Sequence, residues 1–162
     1  MYYFAYGSNM SATRLLRRIP AEKLGTGVLR GYQLAFTKPG ELDGSAKCDI
    51  CPSANEDSAV YGVLYDIREE HKPTLDRYEG LGYGYRTENV EIEFRGETVT
   101  ALTYIAMDCR PELLPFEWYR QHVYRGALEN GLPAEYLSMI ETTPAKRDPD
   151  QERRAEELSI YQ

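Results

Sequence analysis

The chain has few cysteines and no surplus of positive charge, and each of these shortages excludes a class of protein. Three cysteines cannot form an even disulfide framework, so we expect reduced thiols and a cytoplasmic protein. With 19 basic and 26 acidic residues, the formal net charge is −7. That balance argues against nucleic acid as a partner, since a surface that binds phosphates is normally basic.

Long hydrophobic runs are also missing from the sequence. No apolar segment approaches the ~18 residues that a membrane-spanning helix needs. The first residues do not show a basic region followed by a long apolar segment, as a secretory signal would. We therefore expect no membrane partner and no secretion. The 162 residues, of which 42% are hydrophobic, suffice for one globular domain with a single core.

Candidate metal ligands are sparse. Cys48 and Cys51 have the spacing of half a zinc site, but no second pair follows and Cys109 stands alone. His71 and His122 lie in no ligand motif, whereas a structural zinc site needs four ligands. The sequence therefore predicts no metal.

The apolar and turn-forming residues predict more strands than helices. Strands are predicted at residues 2–6, 27–38 and 59–67, with a hairpin at 86–107 that turns at Arg95-Gly96. Helices are predicted at residues 11–18, 68–79, 116–130 and 133–141, and a long loop at 39–58. This order indicates an α+β fold with a largely antiparallel sheet or barrel. The predicted domain covers residues 1–144, and the charged tail 145–162 is expected to be a surface helix or partly disordered.

The register of the hairpin decides which side chains share a face. If the turn has two residues, Val90 and Ile92 share a core face with Ala101, and Tyr85 and Tyr104 lie on the opposite face. A turn of three residues would exchange the two faces. In the first register the two tyrosines are placed to line a cavity.

Glu79 is the first candidate for chemistry. Leu75, Tyr78 and Glu79 share one face of the predicted helix, which sets a carboxyl group beside an apolar stripe. The same residue ends the helix, where the helix dipole disfavours negative charge. Both effects favour a protonated carboxyl group and suit a general acid/base. The alternative is a side chain that bends into solvent just past the helix end.

Two glycine-containing segments are candidates for ligand binding, and only the first of them predicts a binding site. In YFAYGSNM, residues 3–10, an apolar strand runs directly into small polar residues, an arrangement that places backbone N–H groups at the edge of a ligand pocket. EGLGYGY, residues 79–85, follows a predicted helix and lacks the lysine of a phosphate-binding loop. It predicts a sharp turn rather than a nucleotide site.

Three motifs occur in order along the chain: YFAYGSNM, LDRYEG at residues 75–80, and ENGLPAEY at residues 129–136. Together they resemble the gamma-glutamylcyclotransferase-like (AIG2-like) family over roughly residues 2–141. The resemblance implies a small mixed, largely antiparallel β-barrel with flanking helices. It also implies an enzyme that converts a gamma-glutamyl compound into 5-oxoproline and a free amine or amino acid, without a cofactor.

The resemblance carries specific roles onto this chain. It implies Glu79 as the single catalytic acid/base and a small gamma-glutamyl molecule as the partner. The family's loop for the glutamyl end of the substrate falls on Tyr6, Gly7, Ser8 and Asn9. Aromatic positions of its pocket fall on Tyr85, Tyr104 and Tyr119. A homodimer is a further prediction.

The leaving group stays open, because residues 39–58 and the tail do not match the family. One alternative is an enzyme that removes gamma-glutamyl groups from amines, isopeptides or a biosynthetic intermediate. Another is a protein that binds a small molecule in the same pocket without turning it over.

Overall fold

Seven strands form two sheets in the computed structural model, which describes all 162 residues. In chain order the strands are β1 (Tyr2–Ala5), β2 (Glu22–Arg30), β3 (Tyr32–Pro39), β4 (Ala46–Pro52), β5 (Ala59–Asp66), β6 (Tyr85–Phe94) and β7 (Glu97–Ala106). Five of them close into a barrel in the order β1-β5-β2-β6-β7, and β3 pairs with β4 separately. The barrel is mixed because β1 and β7 are parallel, whereas the other neighbours are antiparallel. The predicted class and architecture are confirmed.

Five helices flank the sheets. They are α1 (Ala12–Leu16), α2 (Lys72–Glu79), α3 (Glu117–Glu129), α4 (Ala134–Thr142) and α5 (Gln151–Ser159). Short 3-10 turns precede α1 and α2, at Ser8–Met10 and Glu69–His71. None of the helices has the length and apolar character that crossing a membrane requires.

Phe4 packs in the barrel interior against two glycines of neighbouring strands. Its side chain is fully buried, and burial of this kind contributes roughly 1.5–3 kcal/mol. A Cβ atom at Gly62 would lie 2.6 Å from Phe4 Cζ, and one at Gly27 would lie 2.5 Å from Ile92 Cγ2. Glycine at both positions therefore leaves the space that the Phe4 ring and its neighbours occupy.

The hairpin of β6 and β7 has the two-residue turn. Phe94 pairs with Glu97, and the turn residues Arg95 and Gly96 have φ angles of 53° and 83°, as a primed hairpin turn requires. The register predicted for a two-residue turn is thus confirmed. Tyr85 and Tyr104 share the face opposite the Val90 and Ile92 stripe, and both tyrosines are buried.

The single strand predicted at residues 27–38 is wrong. Gly31, with a φ of 74°, separates two strands that belong to different sheets. β2 is a strand of the barrel, whereas β3 pairs with β4 in the second sheet. The long loop predicted at residues 39–58 is wrong as well, because it contains β4. Alternation in β4 buries Ala46, Cys48 and Ile50, a pattern that the surrounding turn residues conceal.

Two helices are shorter than the sequence predicts. Ser11 caps the first one by accepting a hydrogen bond from the Arg14 N–H, but the α-helix ends at Leu16. The helix predicted from residue 68 begins at Lys72, with a proline in its first turn. The apolar stripe expected on that helix is also only half correct, since Leu75 is fully buried while Tyr78 is 54% exposed.

The chain beyond residue 145 forms α5, which packs against α3. Glu157 Oε2 lies 2.8 Å from His122 Nε2 and accepts a hydrogen bond of 2.6 Å from Arg14 Nη1. The other ring nitrogen, Nδ1, lies 2.7 Å from the Tyr161 hydroxyl. His122 is fully buried, so this network joins α5 to the protein through a histidine that water does not reach.

We expect this network to make stability depend on pH. Burial lowers the pKa of His122, so the folded protein binds fewer protons than the unfolded chain. The stabilisation is therefore present above the unfolded value of about 6.5 and is lost as the pH falls, by up to ~1.4 kcal/mol per pH unit for one proton. Urea unfolding between pH 8 and pH 5 measures this slope. His122→Gln should flatten it and His71→Gln should not; equal slopes in the wild type and His122→Gln would contradict the assignment.

Candidate active site

The structure brings all eight predicted site residues together around one small pocket beside the barrel. They are Tyr6, Gly7, Ser8, Asn9, Glu79, Tyr85, Tyr104 and Tyr119. Two further residues complete the lining, Tyr3 and Cys48. Tyr3 was not predicted as a site residue, although it lies in the YFAYGSNM strand. Cys48 was not predicted either, because β4 was predicted as a loop.

The Gly-Ser-Asn loop lies directly against β4. Gly7 follows β1, and residues Ser8–Met10 form a 3-10 turn. A Cβ atom at Gly7 would lie 3.0 Å from Cys48 Cβ, so glycine lets the loop approach β4 closely. The Gly7 N–H donates no hydrogen bond within the protein. Gly7 thus contributes an unpaired backbone donor to the loop that lines the pocket.

Glu79 faces the pocket rather than bending into solvent. Its Oε1 accepts hydrogen bonds of 2.9 Å from Asn9 Nδ2 and 3.2 Å from Arg18 Nη1. The side chain is 15% exposed. Gly80, in the left-handed conformation with a φ of 66°, ends α2 immediately after it and turns the chain towards β6. The helix end therefore fixes one carboxylate at the pocket wall.

Asn9 is occupied by the protein itself. Its Nδ2 donates to Glu79 and also to the Tyr3 hydroxyl, at 3.0 Å, and its Oδ1 accepts from Arg18 at 3.1 Å. The predicted contact of the Asn9 side chain with substrate thus competes with three existing partners. In this arrangement the amide orients Glu79.

Two tyrosines of the pocket hold β4 in place. The Tyr85 hydroxyl donates to the Cys48 carbonyl at 2.7 Å, and the Tyr119 hydroxyl accepts from the Cys48 N–H at 2.9 Å. The Tyr6 hydroxyl donates to the Tyr104 carbonyl. These contacts explain much of the unusual tyrosine content near the site, because each ring adds apolar surface and each hydroxyl satisfies a backbone group.

The small pocket lined by these ten residues is called the inner pocket below. Glu79 is its one carboxylate, and its other ionisable groups are neutral. Burial raises the pKa of the Tyr6, Tyr85 and Tyr119 hydroxyls well above their usual range. Burial likewise raises the pKa of the Cys48 thiol, so it is not a thiolate at neutral pH. Glu79 is therefore the one side chain of this pocket that is suited to accept and return a proton.

A larger cavity of about 470 Å³ adjoins the inner pocket, a size typical of ligand sites. Ser8, Glu79, Tyr85 and Tyr119 line both spaces. The outer cavity alone is lined by several cations, namely Arg14, Arg18, Lys38, Lys47, Arg77 and Arg153. Glu41, Asp43 and Glu157 also line the outer cavity. A molecule that touches Glu79 can thus extend outward into a chamber with charges of both signs.

The cysteines fall on two faces of β4. Cys48 faces the pocket, whereas Cys51 lies with Cys109 around the buried Asp49, the three possible ligand atoms being within 4.8 Å of one another. Cys109 Sγ is 3.2 Å from Asp49 Oδ2. Cys48 and Cys51, which have the spacing of half a zinc site, therefore do not face the same site. The cysteine near Cys51 is Cys109, which is distant in sequence.

Comparison with known proteins agrees with this architecture. The AIG2-like family matches residues 59–140. Gamma-glutamylcyclotransferases of Bos taurus and Homo sapiens are each 30% identical over 145 residues, which is 85% of this chain and 76% of theirs. YkqA of Bacillus subtilis (strain 168) is 32% identical over 133 residues, 78% of this chain and 46% of its own.

Solved structures show the same fold. A gamma-glutamyl cyclotransferase structure superposes with a TM-score of 0.87 at 23% identity, covering 98% of both chains. The crystal structure of YkqA gives a TM-score of 0.77 at 27% identity over 90% of this chain and 56% of that one. The chain belongs to the gamma-glutamylcyclotransferase-like (AIG2-like) family.

Proposed function

We propose that this protein is a gamma-glutamylcyclotransferase that releases 5-oxoproline and a free amine or amino acid from small gamma-glutamyl compounds. One observation carries the proposal. Glu79 is the single carboxylate of a pocket that also contains the Gly-Ser-Asn loop, and Asn9 and Arg18 orient it. The homologous cyclotransferases support the same assignment.

In the proposed reaction the substrate supplies its own nucleophile. Glu79 takes a proton from the α-ammonium group, and the free amine attacks the γ-carbonyl carbon to close a five-membered ring. The C–N bond to the leaving group then breaks, and Glu79 returns the proton to the departing nitrogen. The second proton that the ring nitrogen must lose also passes through Glu79 to the leaving amine, which departs as an ammonium ion. Atoms and charge balance with no external reactant.

The loop supplies the electrostatic part of this mechanism. As the ring closes, negative charge develops on the γ-carbonyl oxygen, and a preorganised backbone donor stabilises it. We assign this role to the Gly7 N–H, which has no acceptor within the protein and belongs to the loop that lines the pocket. Asn9 acts one step away from the substrate, as a positioning residue that holds Glu79.

The neutral side chains of the pocket support intramolecular attack. Cys48 and the buried tyrosines stay protonated, so none of them competes as a nucleophile. Holding the glutamyl chain bent contributes much of the rate, since well-oriented ring closure gains ~7–11 kcal/mol over a bimolecular reaction in the best cases. A site with one acid/base and a shaped cavity therefore suffices.

Three free cysteines support a cytoplasmic location for this reaction, where thiols stay reduced. The homodimer stays a prediction. A non-catalytic protein with the same pocket is the second candidate. In such a protein Glu79 would only pair with the α-ammonium group of the ligand, so a turnover assay distinguishes the two.

We expect purified protein to form 5-oxoproline from at least one member of a panel of gamma-glutamyl compounds. The panel contains gamma-glutamyl amino acids, gamma-glutamyl alkylamines and a gamma-glutamyl-ε-lysine isopeptide, with products separated by mass spectrometry. 5-Oxoproline and the free amine should appear in equal amounts. Binding of the compounds by calorimetry without any 5-oxoproline would instead support the non-catalytic candidate.

A further inference from the structure

Lys38 is a buried cation without a partner. It lies on β3 with 7% of its surface exposed, and its ammonium group forms no hydrogen bond or ion pair with the protein. Four other cations of the outer cavity are paired with acids, namely Arg14 with Glu157, Arg18 with Glu79, Lys47 with Asp43 and Arg153 with Asp148. The remaining cation of the cavity, Arg77, is exposed and has no ion pair either. Lys38 is therefore the one cation of the cavity whose side chain is mostly buried and unpaired, and its Nζ is not sealed from solvent, so it is open to a ligand.

The surroundings hold the Lys38 ammonium at the wall of the cavity. Its Nζ lies 5.0 Å from the centre of the Tyr85 ring, in a cation–π contact. A Cβ atom at Gly84 would lie 2.9 Å from the same nitrogen, so the glycine leaves the space that the lysine tip occupies. Burial lowers the pKa of Lys38, and the charges of Glu41, Glu79 and Asp43 oppose that effect. The cation is thus built into the site, near three carboxylates but in hydrogen-bond contact with none of them.

The position of Lys38 separates it from the glutamyl end of the pocket. It lines the outer cavity but not the inner pocket, where the Gly-Ser-Asn loop lies. Glu79 and Tyr85 line both spaces, so the bond to be broken lies near their junction. A substrate with its glutamyl end at the loop sends its leaving group into the outer cavity, whose wall includes Lys38.

We propose that Lys38 binds a carboxylate of the leaving group, which makes gamma-glutamyl amino acids the preferred substrates over gamma-glutamyl alkylamines. This inference rests on the proposed function. The carboxylate of an amino acid lies one carbon from the departing nitrogen, so it enters the outer cavity as soon as that nitrogen reaches Glu79. There it supplies the charge-assisted hydrogen bond that Lys38 lacks.

Two substrates that differ in one carboxylate test the inference. Gamma-glutamyl-L-alanine and gamma-glutamylethylamide share the glutamyl part, and only the first has a carboxylate on its leaving group. We expect the wild type to show a higher kcat/KM for the alanine compound. Lys38→Met should reduce the ratio of the two kcat/KM values about 10- to 100-fold, the effect of losing one hydrogen bond to a charged group. Lys38→Arg should keep part of the ratio.

Lys23→Met is the matched control, because Lys23 is an exposed lysine on β2 that has no partner and lies away from the cavity. If Lys38→Met does not fold, Lys38→Gln removes the same charge. Equal losses on both substrates would assign the lysine to the shared glutamyl part or to structure, and would overturn the inference. So would a wild type that does not distinguish the substrates.

A binding measurement separates this inference from the proposed function. In a Glu79→Gln background, calorimetry compares the affinities for the same two compounds without turnover. A preference for gamma-glutamyl-L-alanine that disappears with Lys38→Met supports the carboxylate subsite even if the wild type forms no 5-oxoproline. If both compounds are turned over and Lys38→Met does not change the ratio of their kcat/KM values, the proposed function stands and the carboxylate subsite is disproved.

Discussion

Replacing Glu79 by Gln should lower the rate of 5-oxoproline formation by ~10²–10⁴-fold, the usual effect of losing a general acid/base. The reason is specific to this pocket. Its other ionisable side chains are buried tyrosines and a thiol that stay protonated, so no neighbouring group takes over the proton transfer. Steady-state kinetics on gamma-glutamyl-L-alanine measure the loss, which we expect in kcat more than in KM.

The fold should survive this substitution, because Gln keeps the shape of Glu and its Oε1 still accepts from Asn9 and Arg18. Thermal unfolding of Glu79→Gln checks that point. Glu56→Gln, which changes an exposed glutamate between β4 and β5, is the control for loss of a negative charge. A folded Glu79→Gln enzyme with the turnover of the wild type would remove Glu79 from the mechanism.

Local sequence signals predicted the parts of the site that lie within one segment. Arg95-Gly96 set the hairpin register through its positive φ angles, and this register placed Tyr85 and Tyr104 on one face. The YFAYGSNM junction placed a loop at the end of a strand, and the helix end placed Glu79. Each of these features depends on neighbours a few residues apart, which a sequence pattern records.

The features that failed depend on contacts between distant segments. β4 was not predicted because turn-forming residues surround it and its alternation of buried and exposed side chains is short. Lys47 and Asp49 lie on its less regular face, and its partner β3 lies outside the barrel. Missing β4 meant missing Cys48. The role of Lys38 was equally invisible, because a lysine in a strand reveals neither its burial nor its lack of a partner.

Tyr78 shows the limit of helical periodicity. Its spacing from Leu75 suggested a shared buried face, yet Tyr78 is exposed and lies under the Arg18 guanidinium, 5.0 Å from it. Arg18 belongs to the segment after α1 and also reaches Glu79. The polar environment of the catalytic candidate thus comes from a residue 61 positions away, which no pattern within α2 could indicate.

Acetylating the α-amine of the substrate should abolish 5-oxoproline formation at every enzyme concentration. In the proposed mechanism that amine is the nucleophile, and an amide nitrogen is too weakly basic to accept the role. N-Acetyl-gamma-glutamyl-L-alanine tests this directly beside the free amine, with products identified by mass spectrometry. A calorimetric titration of the acetylated compound shows whether it still enters the pocket.

Two further compounds sharpen the same experiment. A gamma-glutamyl anilide with a free amine should cyclise, because ring closure does not depend on one leaving group. An α-glutamyl peptide should not react, because its amine is too close to the scissile carbonyl to form a five-membered ring. The decisive contrary result is hydrolysis of the acetylated compound to N-acetylglutamate. Only water or a side chain of the enzyme could then be the attacking group, and the protein would be a hydrolase built on the same pocket.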